Sequence, residues 1–283
     1  MTIQNKIAKA FAPAHISGIF IIDIKKYPSL SGSMGCGFCL EDGAVTQIRP
    51  AKETTIRING ALVQAPTTLS AIGLLTAESV LVDTTFKIPV GAGFGSSGAG
   101  ALSAALALNE LLSMNLTLKD LAHAAHCAEV TNRTGLGDVT GMTFGGIVAR
   151  KKAGAPFLGI IDKIPCRNTM ISWISFNEIS TKSVLTDDLK KKSINKSGKT
   201  KLKELLKKPT FENFMIQSAS FAKDIELMSP GVRDSIEAVE AAGGFASQAM
   251  LGDTVFAIND NGALLEFGEV HKSRISNTGA HLL

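Results

Sequence analysis

Apolar residues alternate with polar ones from Val80 to Ile88, and the run is rich in β-branched types, so it reads as a strand. The period changes just beyond it. Ala99 to Leu112 is built mainly from Ala and Leu, which predicts a helix. Upstream the pattern is mostly strand-like. Ala10 to Asp23 predicts a strand, a polar turn at His15 and Ser17, and a second strand. Ser31 to Gly37 reads as a glycine-rich loop. It is followed by a strand at Phe38 to Leu40, a hairpin turn at Glu41-Asp42-Gly43 and a return over Ala44 to Ile48. Thr54 to Ile58, Asn59-Gly60 and Ala61 to Gln64 predict another hairpin, and Pro66 to Leu81 holds a helix.

Downstream the chain turns helical and then mixed. Thr117 predicts an N-cap with Asp120 as its capping-box partner. Leu118, Leu121, Ala122, Ala125 and Ala128 give that helix one apolar face. Glu129 falls near its C-terminus, where an acid opposes the helix dipole; it reads either as a solvated helix acid or as a carboxylate that something other than helix stability requires. Asn132 to Gly141 is a glycine-bracketed turn that presents Arg133 and Asp138, and Thr143 to Arg150 resumes as a strand. Charge, Gly and Pro cluster at Lys151 to Pro156, which divides the chain into residues 1–155 and 156–283. The second part predicts strands at Ile160 to Ile164 and Met170 to Phe176. Helices follow over Thr210 to Met228 and Gly231 to Ala242, then a strand-turn-strand over Phe245 to Ile258. The fold class is α+β with two domains.

Composition removes several functions. Of 283 residues 45% are hydrophobic, enough for a sizeable core. A single Tyr and a single Trp make base-stacking platforms for nucleic acid improbable. No apolar run reaches the roughly 20 residues of a membrane span, and no apolar signal core follows Met1. A cytoplasmic protein without nucleic-acid or membrane partners is expected. The net charge is +4, but Lys190 to Lys208 holds nine lysines against Glu204 alone, leaving the rest of the chain at −4. That segment reads as solvated and mobile, with a short amphipathic helix on Leu202, Leu205 and Leu206. Cys36 and Cys39 form one C-x-x-C without a second ligand pair, which reads as a packed strand edge rather than a zinc or redox site.

Between the strand at Val80 and the helix at Ala99 lies Pro89-Val90-Gly91-Ala92-Gly93-Phe94-Gly95-Ser96-Ser97-Gly98. Its glycines let the backbone turn and approach a ligand, Ser96 and Ser97 stand where an N-cap belongs, and the helix N-terminus suits a phosphate. The loop has no Walker-type Lys, since Ala99 follows. The spacing of Gly93, Gly95 and Gly98 matches a dinucleotide loop, but outside an alternating βαβ context. The hydrolase elbow does not fit Ser96 or Ser97. A Gly-Lys-Thr at Gly198 to Thr200 lacks both a first glycine and a preceding apolar strand.

Pro89 to Ala99 resembles the second motif of the GHMP kinases, a family of small-molecule ATP kinases, which usually reads P-x-G-x-G-L-G-S-S-A-A. Phe94 replaces Leu and Gly98 replaces Ala. Ala10 to Gly18, Gly32 to Leu40, Glu129 to Val139 and Ala246 to Ala257 look like the archaeal-type pantoate kinase branch of that family. The resemblance implies a ribosomal-S5-like N-terminal domain and a ferredoxin-like C-terminal domain. It also implies transfer of phosphate from ATP to the primary hydroxyl of pantoate in coenzyme A biosynthesis. By the same resemblance Pro89, Gly91, Gly93, Gly95, Ser96, Ser97 and Gly98 hold the nucleotide. Ser97 and Glu129 face Mg²⁺, and Asp138 lies near the substrate hydroxyl, where it accepts or orients the proton. An anionic acceptor needs cationic or polar partners, for which His15, Ser17 and Arg133 are candidates. Homoserine, shikimate or mevalonate-type acceptors, a non-catalytic sensor, and a homodimer stay open. The chain departs from the family in lacking Gly-Glu-His after its first strand and in keeping only Gly252 of the third glycine loop.

Overall fold

Two long antiparallel strands form the spine. β1 (Ala8–Asp23) and β2 (Gly32–Pro50) pair from Ala8 opposite Ile48 to Asp23 opposite Gly32. The computed structural model describes residues 6–177 and 188–283. Three expected turns are absent from this ribbon. The polar turn at His15 and Ser17, the glycine-rich loop at Ser31 to Gly37 from Gly32 onward, and the hairpin turn at Glu41 to Gly43 are strand, interrupted only by register shifts at Pro13/Ala14 and Ser17/Ile19. The glycines serve close backbone approach instead of turning. A Cβ on Gly35 would lie 2.0 Å from the Ile19 carbonyl oxygen, and one on Gly43 2.2 Å from that of Ala12.

β2 is shared between neighbours. Its second half pairs with β5 (Val80–Phe86) and its first half with β6 (Ile147–Lys152). β3 (Thr55–Ile58) runs parallel to β5 and makes the expected hairpin with β4 (Ala61–Leu62). β7 (Ile160–Ile164) pairs with β6. The second sheet has the order β11 (His271–Arg274), β8 (Met170–Asn177), β10 (Asp253–Ile258), β9 (Phe245–Gln248), all antiparallel. At the end of the chain β12 (His281–Leu282) returns to the edge of β1. The first sheet therefore draws strands from both sides of residue 155.

Helix α1 (Pro66–Gly73) and the glycine-rich helix start lead into α2 (Ser96–Leu112), which lies on β1 and β2. Ala and Leu on every side suit a helix buried all round, and twelve of its seventeen residues are buried. Its buried Ser103 is satisfied by the Thr46 hydroxyl at 2.6 Å. α3 (Leu118–Asn132) has the predicted capping box of Thr117 and Asp120. The expected turn to Gly141 ends earlier, because Asp138 already begins α4 (Asp138–Phe144).

The lysine segment is not a loose one within the described residues. α5 (Asp188–Lys207) buries Ile194, Leu202 and Leu205, while Leu206 is exposed. Asn195 acts as a surrogate strand at the edge of β1: its side-chain oxygen accepts from Ile22 N at 2.7 Å, and its amide donates to Ile22 O at 3.0 Å. The Gly-Lys-Thr at Gly198 to Thr200 is part of this helix. α6 (Phe211–Ile225) and α7 (Pro230–Ala241) cover the second sheet. The main core runs through both sheets, with Phe38 edge-on to Phe214 and Phe256. A smaller cluster of Val232, Ile236, Val239, Val255 and Leu264 lies under α7.

Candidate active site

The glycine loop joins β5 to α2. Gly91, Gly93 and Gly95 all take positive φ (80°, 91° and 65°), which favours glycine at each. Gly95 is the left-handed N-cap of α2, so Ser96 and Ser97 are its first helical residues and not its cap, a correction to the expectation. Three contacts hold the loop. His15 N donates to Phe94 O at 3.0 Å, the Thr254 hydroxyl donates to Ala92 O at 2.7 Å, and the buried Phe94 ring meets Trp173 edge-on. With the loop so fixed, the N-terminus of α2 points at one spot.

Below that spot lies Glu129. It is buried in the last turn of α3, and the Ser97 hydroxyl donates to its Oε1 at 2.7 Å. Its Oε2 is buried without a partner. Two glycines make its room, since a Cβ on Gly98 or Gly135 would lie 3.0 Å or 2.6 Å from the carboxylate. Burial first, then the nearby charge of Asp138, push its pKa up to about 8 against the pull of Ser97. An orphaned buried carboxylate oxygen beside a hydroxyl is a pair of hard donors, which fits Mg²⁺. Among the described residues no group of three or more His, Cys, Asp or Glu could hold a metal ion, so an ion here would need donors beyond these two side chains.

Asp138, at the start of α4, faces a different set of neighbours. His15 Nδ1 lies 2.7 Å from its Oδ1, and His15 Nε2 lies 3.5 Å from Arg150 Nη1. A guanidinium only donates, so Nε2 accepts and Nδ1 carries the hydrogen given to Asp138. Burial holds His15 below the ordinary imidazole pKa, although Asp138 opposes this. Burial also pushes Asp138 up, but the His15 hydrogen bond, then Arg150 and Ser17, outweigh it and hold the carboxyl below its usual range. Asp138 is thus ionised and oriented. Glycines again clear the space: a Cβ on Gly37 would lie 2.6 Å from His15 Nε2, on Gly141 2.2 Å from His15 Cδ2, and on Gly137 2.7 Å from Arg150 Nε.

A cleft of about 340 Å³ opens between the glycine loop and Asp138. Of the predicted residues, Ser17, Gly91, Gly93, Gly95, Ser96, Ser97, Arg133 and Asp138 line it. Pro89 stands at the loop entrance outside this lining, Gly98 turns inward to Glu129, and His15 is fully buried behind Asp138. His15 therefore meets the cleft through Asp138 and does not reach it directly. Arg133 is the left-handed C-cap of α3 and is exposed on the cleft wall. Sequence reasoning missed Ser33, Asn132, Thr134 and Met250 in the lining and Arg150 behind it. Arg150 carried no clear signal, because after Ile147-Val148-Ala149 it opens the basic triplet Arg150-Lys151-Lys152, of which it alone is buried. Cys36 and Cys39 lie in the interior of β2 and not at an edge. Burial pushes both thiols up, Cys36 to about 12, so neither is a thiolate nucleophile.

A rigid lysine-free anion loop facing an ionised carboxylate across a cleft is the equipment of a phosphotransferase acting on a small molecule. Residues 63–146 match the GHMP kinases N terminal domain, and the chain belongs to the GHMP kinase family. It is 32% identical over 271 residues to the pantoate kinase of Methanocaldococcus jannaschii, covering 94% of this chain and 97% of that protein. With the pantoate kinase of Thermococcus kodakarensis it shares 33% over 268 residues, 89% of this chain and 87% of the relative. A solved phosphotransferase related to the coenzyme A biosynthesis pathway superposes with a TM-score of 0.89 at 27% identity, over 98% of this chain and 99% of its own. A mevalonate diphosphate decarboxylase solved in complex with MVAPP, AMPPCP and magnesium has the same fold, with a TM-score of 0.73 at 17% identity over 98% of both chains.

Proposed function

We propose that this chain transfers the γ-phosphoryl group of ATP to the primary hydroxyl of pantoate, giving ADP and 4-phosphopantoate in coenzyme A biosynthesis. The observation that carries the reading is the pairing of the anchored glycine loop with the ionised, His15-oriented Asp138 across one cleft, in a chain matched along its length by pantoate kinases. Backbone N–H groups of Gly91 to Ser97 and the N-terminus of α2 receive the phosphates. An apolar pocket of about 180 Å³ shares Val90, Ser96, Ser97 and Thr134 with the cleft, and its Ile56, Ile58 and Phe86 walls suit a flat base. Residues 1–155 then serve as the nucleotide domain and 156–283 as the second domain.

The acceptor lies against Asp138, with Ser17 and Arg133 at the walls. Its oxygen forms the new bond to the γ-phosphorus as the bond from that phosphorus to the β-bridging oxygen breaks, and the hydroxyl proton passes to Asp138. His15 holds the carboxylate in place, and Arg150, buried beneath Ser17, keeps it ionised. Ser97 and Glu129 would hold Mg²⁺, which when bound would neutralise charge on the phosphates. Among the described residues no helix is long and apolar enough to cross a membrane, and a cytoplasmic setting accords with this reaction. ADP release measured with a panel of hydroxy acids tests the proposal. Turnover with pantoate is expected. Turnover confined to homoserine, shikimate or mevalonate, or none with any acid, overturns it.

A further inference from the structure

The acceptor end of the cleft has two chemistries. Ser17, Ser33 and Asp138 are polar, whereas Phe20, Met250 and Leu251 present an apolar wall. The wall is built by two unusual pieces of backbone. In β1 the register shift at Gly18 sets Ser17 opposite Gly37 and Phe20 opposite Gly35, two residues apart on β2. Residues three apart in sequence thereby share one face, which a regular strand forbids. Gly18 is required there, because a Cβ would lie 2.4 Å from the Ser218 hydroxyl of α6. The Phe20 ring is braced edge-on by Phe221 at 5.7 Å.

The second piece is the turn between β9 and β10. Met250 N donates to Ser17 O at 2.9 Å, and Gly252 packs on the glycine loop, where its Cβ would lie 2.1 Å from Ala92 O. The turn therefore bridges the acceptor side and the phosphate side of the cleft. Leu251 within it holds a left-handed backbone at φ 65°. That conformation disfavours a bulky residue, and glycine would take it freely. A leucine held in this strained state on a cleft wall points to a use for its side chain.

Resting on the pantoate reading, we infer that Phe20, Met250 and Leu251 form the specificity wall for the acceptor, receiving the two methyl groups on its quaternary carbon. That carbon is bonded to the carbon bearing the reacting hydroxyl, so with the hydroxyl at Asp138 the methyls lie against whatever flanks Asp138 and Ser17. An apolar wall there selects a branched hydroxy acid over an unbranched one.

The test compares kcat/KM for pantoate and for 2,4-dihydroxybutanoate, which lacks both methyls. The wild-type chain prefers pantoate by about 100-fold, the span expected for missing apolar groups in a fitted site. Leu251→Gly, which relaxes the backbone, and Met250→Ala each cut that preference by about ten-fold. A preference that stays at the wild-type value in an active Leu251→Gly protein overturns the wall. So does equal turnover of the two acids by the wild type. A wild type that ignores pantoate altogether fails the kinase reading itself, a different result from an active enzyme without selectivity.

Discussion

Replacing Gly141 by Ala tests the site at the residue that makes room for His15 and so aims the proposed base, Asp138. Gly141 lies within α4, where Ala would stabilise an ordinary helix by about 1 kcal/mol. Here the new Cβ would lie 2.2 Å from Cδ2 and 2.4 Å from Nε2 of His15. Ordinary contact begins near 3.4 Å, so the ring must move by more than 1 Å. It has no free direction, since Gly37 backs it on one side and Arg150 on another. A shift of that size lengthens the 2.7 Å bond to Asp138 beyond hydrogen-bond range. The lost charge-assisted bond costs about 2 kcal/mol and the overpacking a similar amount. After the helix gain, the expected destabilisation is about 3 kcal/mol, read by urea unfolding. An Asp138 that is no longer held in line lowers kcat by about 30-fold, the equivalent of 2 kcal/mol. Asp138→Asn should lose at least about 100-fold. Nucleotide affinity should survive, because the loop is held by other atoms. A Gly141→Ala protein with wild-type stability and kcat refutes the clamp on His15 and, with it, the derived orientation of Asp138.

Two further outcomes follow from the same geometry. Ser97→Ala removes the hydroxyl that meets Glu129 and should weaken use of Mg-ATP most, seen as a raised KM for the nucleotide. A change confined to pantoate KM would place the loop at the wrong end of the cleft. His15 and His126 are both held below the ordinary value of 6.5 by burial, partly opposed by their hydrogen-bond partners. Their contribution is complete above pH 6.5 and is lost as pH falls below it, because the unfolded chain takes up protons that the folded one resists. The midpoint of thermal unfolding should therefore drop from pH 6.5 towards pH 5, and a flat profile there contradicts the neutral, buried state of both rings.

The local patterns that the sequence displays are those settled by neighbouring residues. The capping box at Thr117, the Asn59-Gly60 hairpin and the strand-loop-helix around Gly91 to Ser97 each depend on a few adjacent side chains, and each formed as predicted except that the helix cap falls on Gly95. The misread stretch, Ala10 to Gly43, is one in which glycine signals a tertiary need. Gly37 reads as loop composition, but it exists because the His15 ring, opposite Cys39 on the neighbouring strand, needs the volume of its missing side chain. Nothing near position 37 in sequence reveals that ring. The lysine segment was misjudged for a similar reason. Its charges dominate the composition, while its fold is decided by Asn195 and Gly198 meeting the backbone of β1, about 175 residues away along the chain.

The two acids of the site also show why residue type alone could not assign roles. Glu129 is buried and Asp138 is part-exposed on the cleft, both near the same loop, and their surroundings push them apart. Glu129 is buried beside Asp138 with an orphaned oxygen, and the Ser97 hydroxyl and the Val139 backbone only partly offset this, so its pKa is pushed up to about 8. Asp138 is given an imidazole N–H and a nearby guanidinium, so it is ionised before any ligand arrives. A protonated acid cannot accept a proton from an alcohol, and an ionised one already satisfied by an imidazole N–H and a guanidinium has less need of a metal. On the proposed function, that separation suits Asp138 to the base and Glu129 to the metal, by the rule that titratable pairs pushed apart divide the labour. It also accounts for Arg150, whose buried charge supports the ionised member of the pair and lies beyond the reach of direct cleft contact. Were Arg150 replaced by a neutral side chain of similar length, the two acids would move closer in pKa, and the division of labour that the cleft depends on would weaken before any contact to the nucleotide changed.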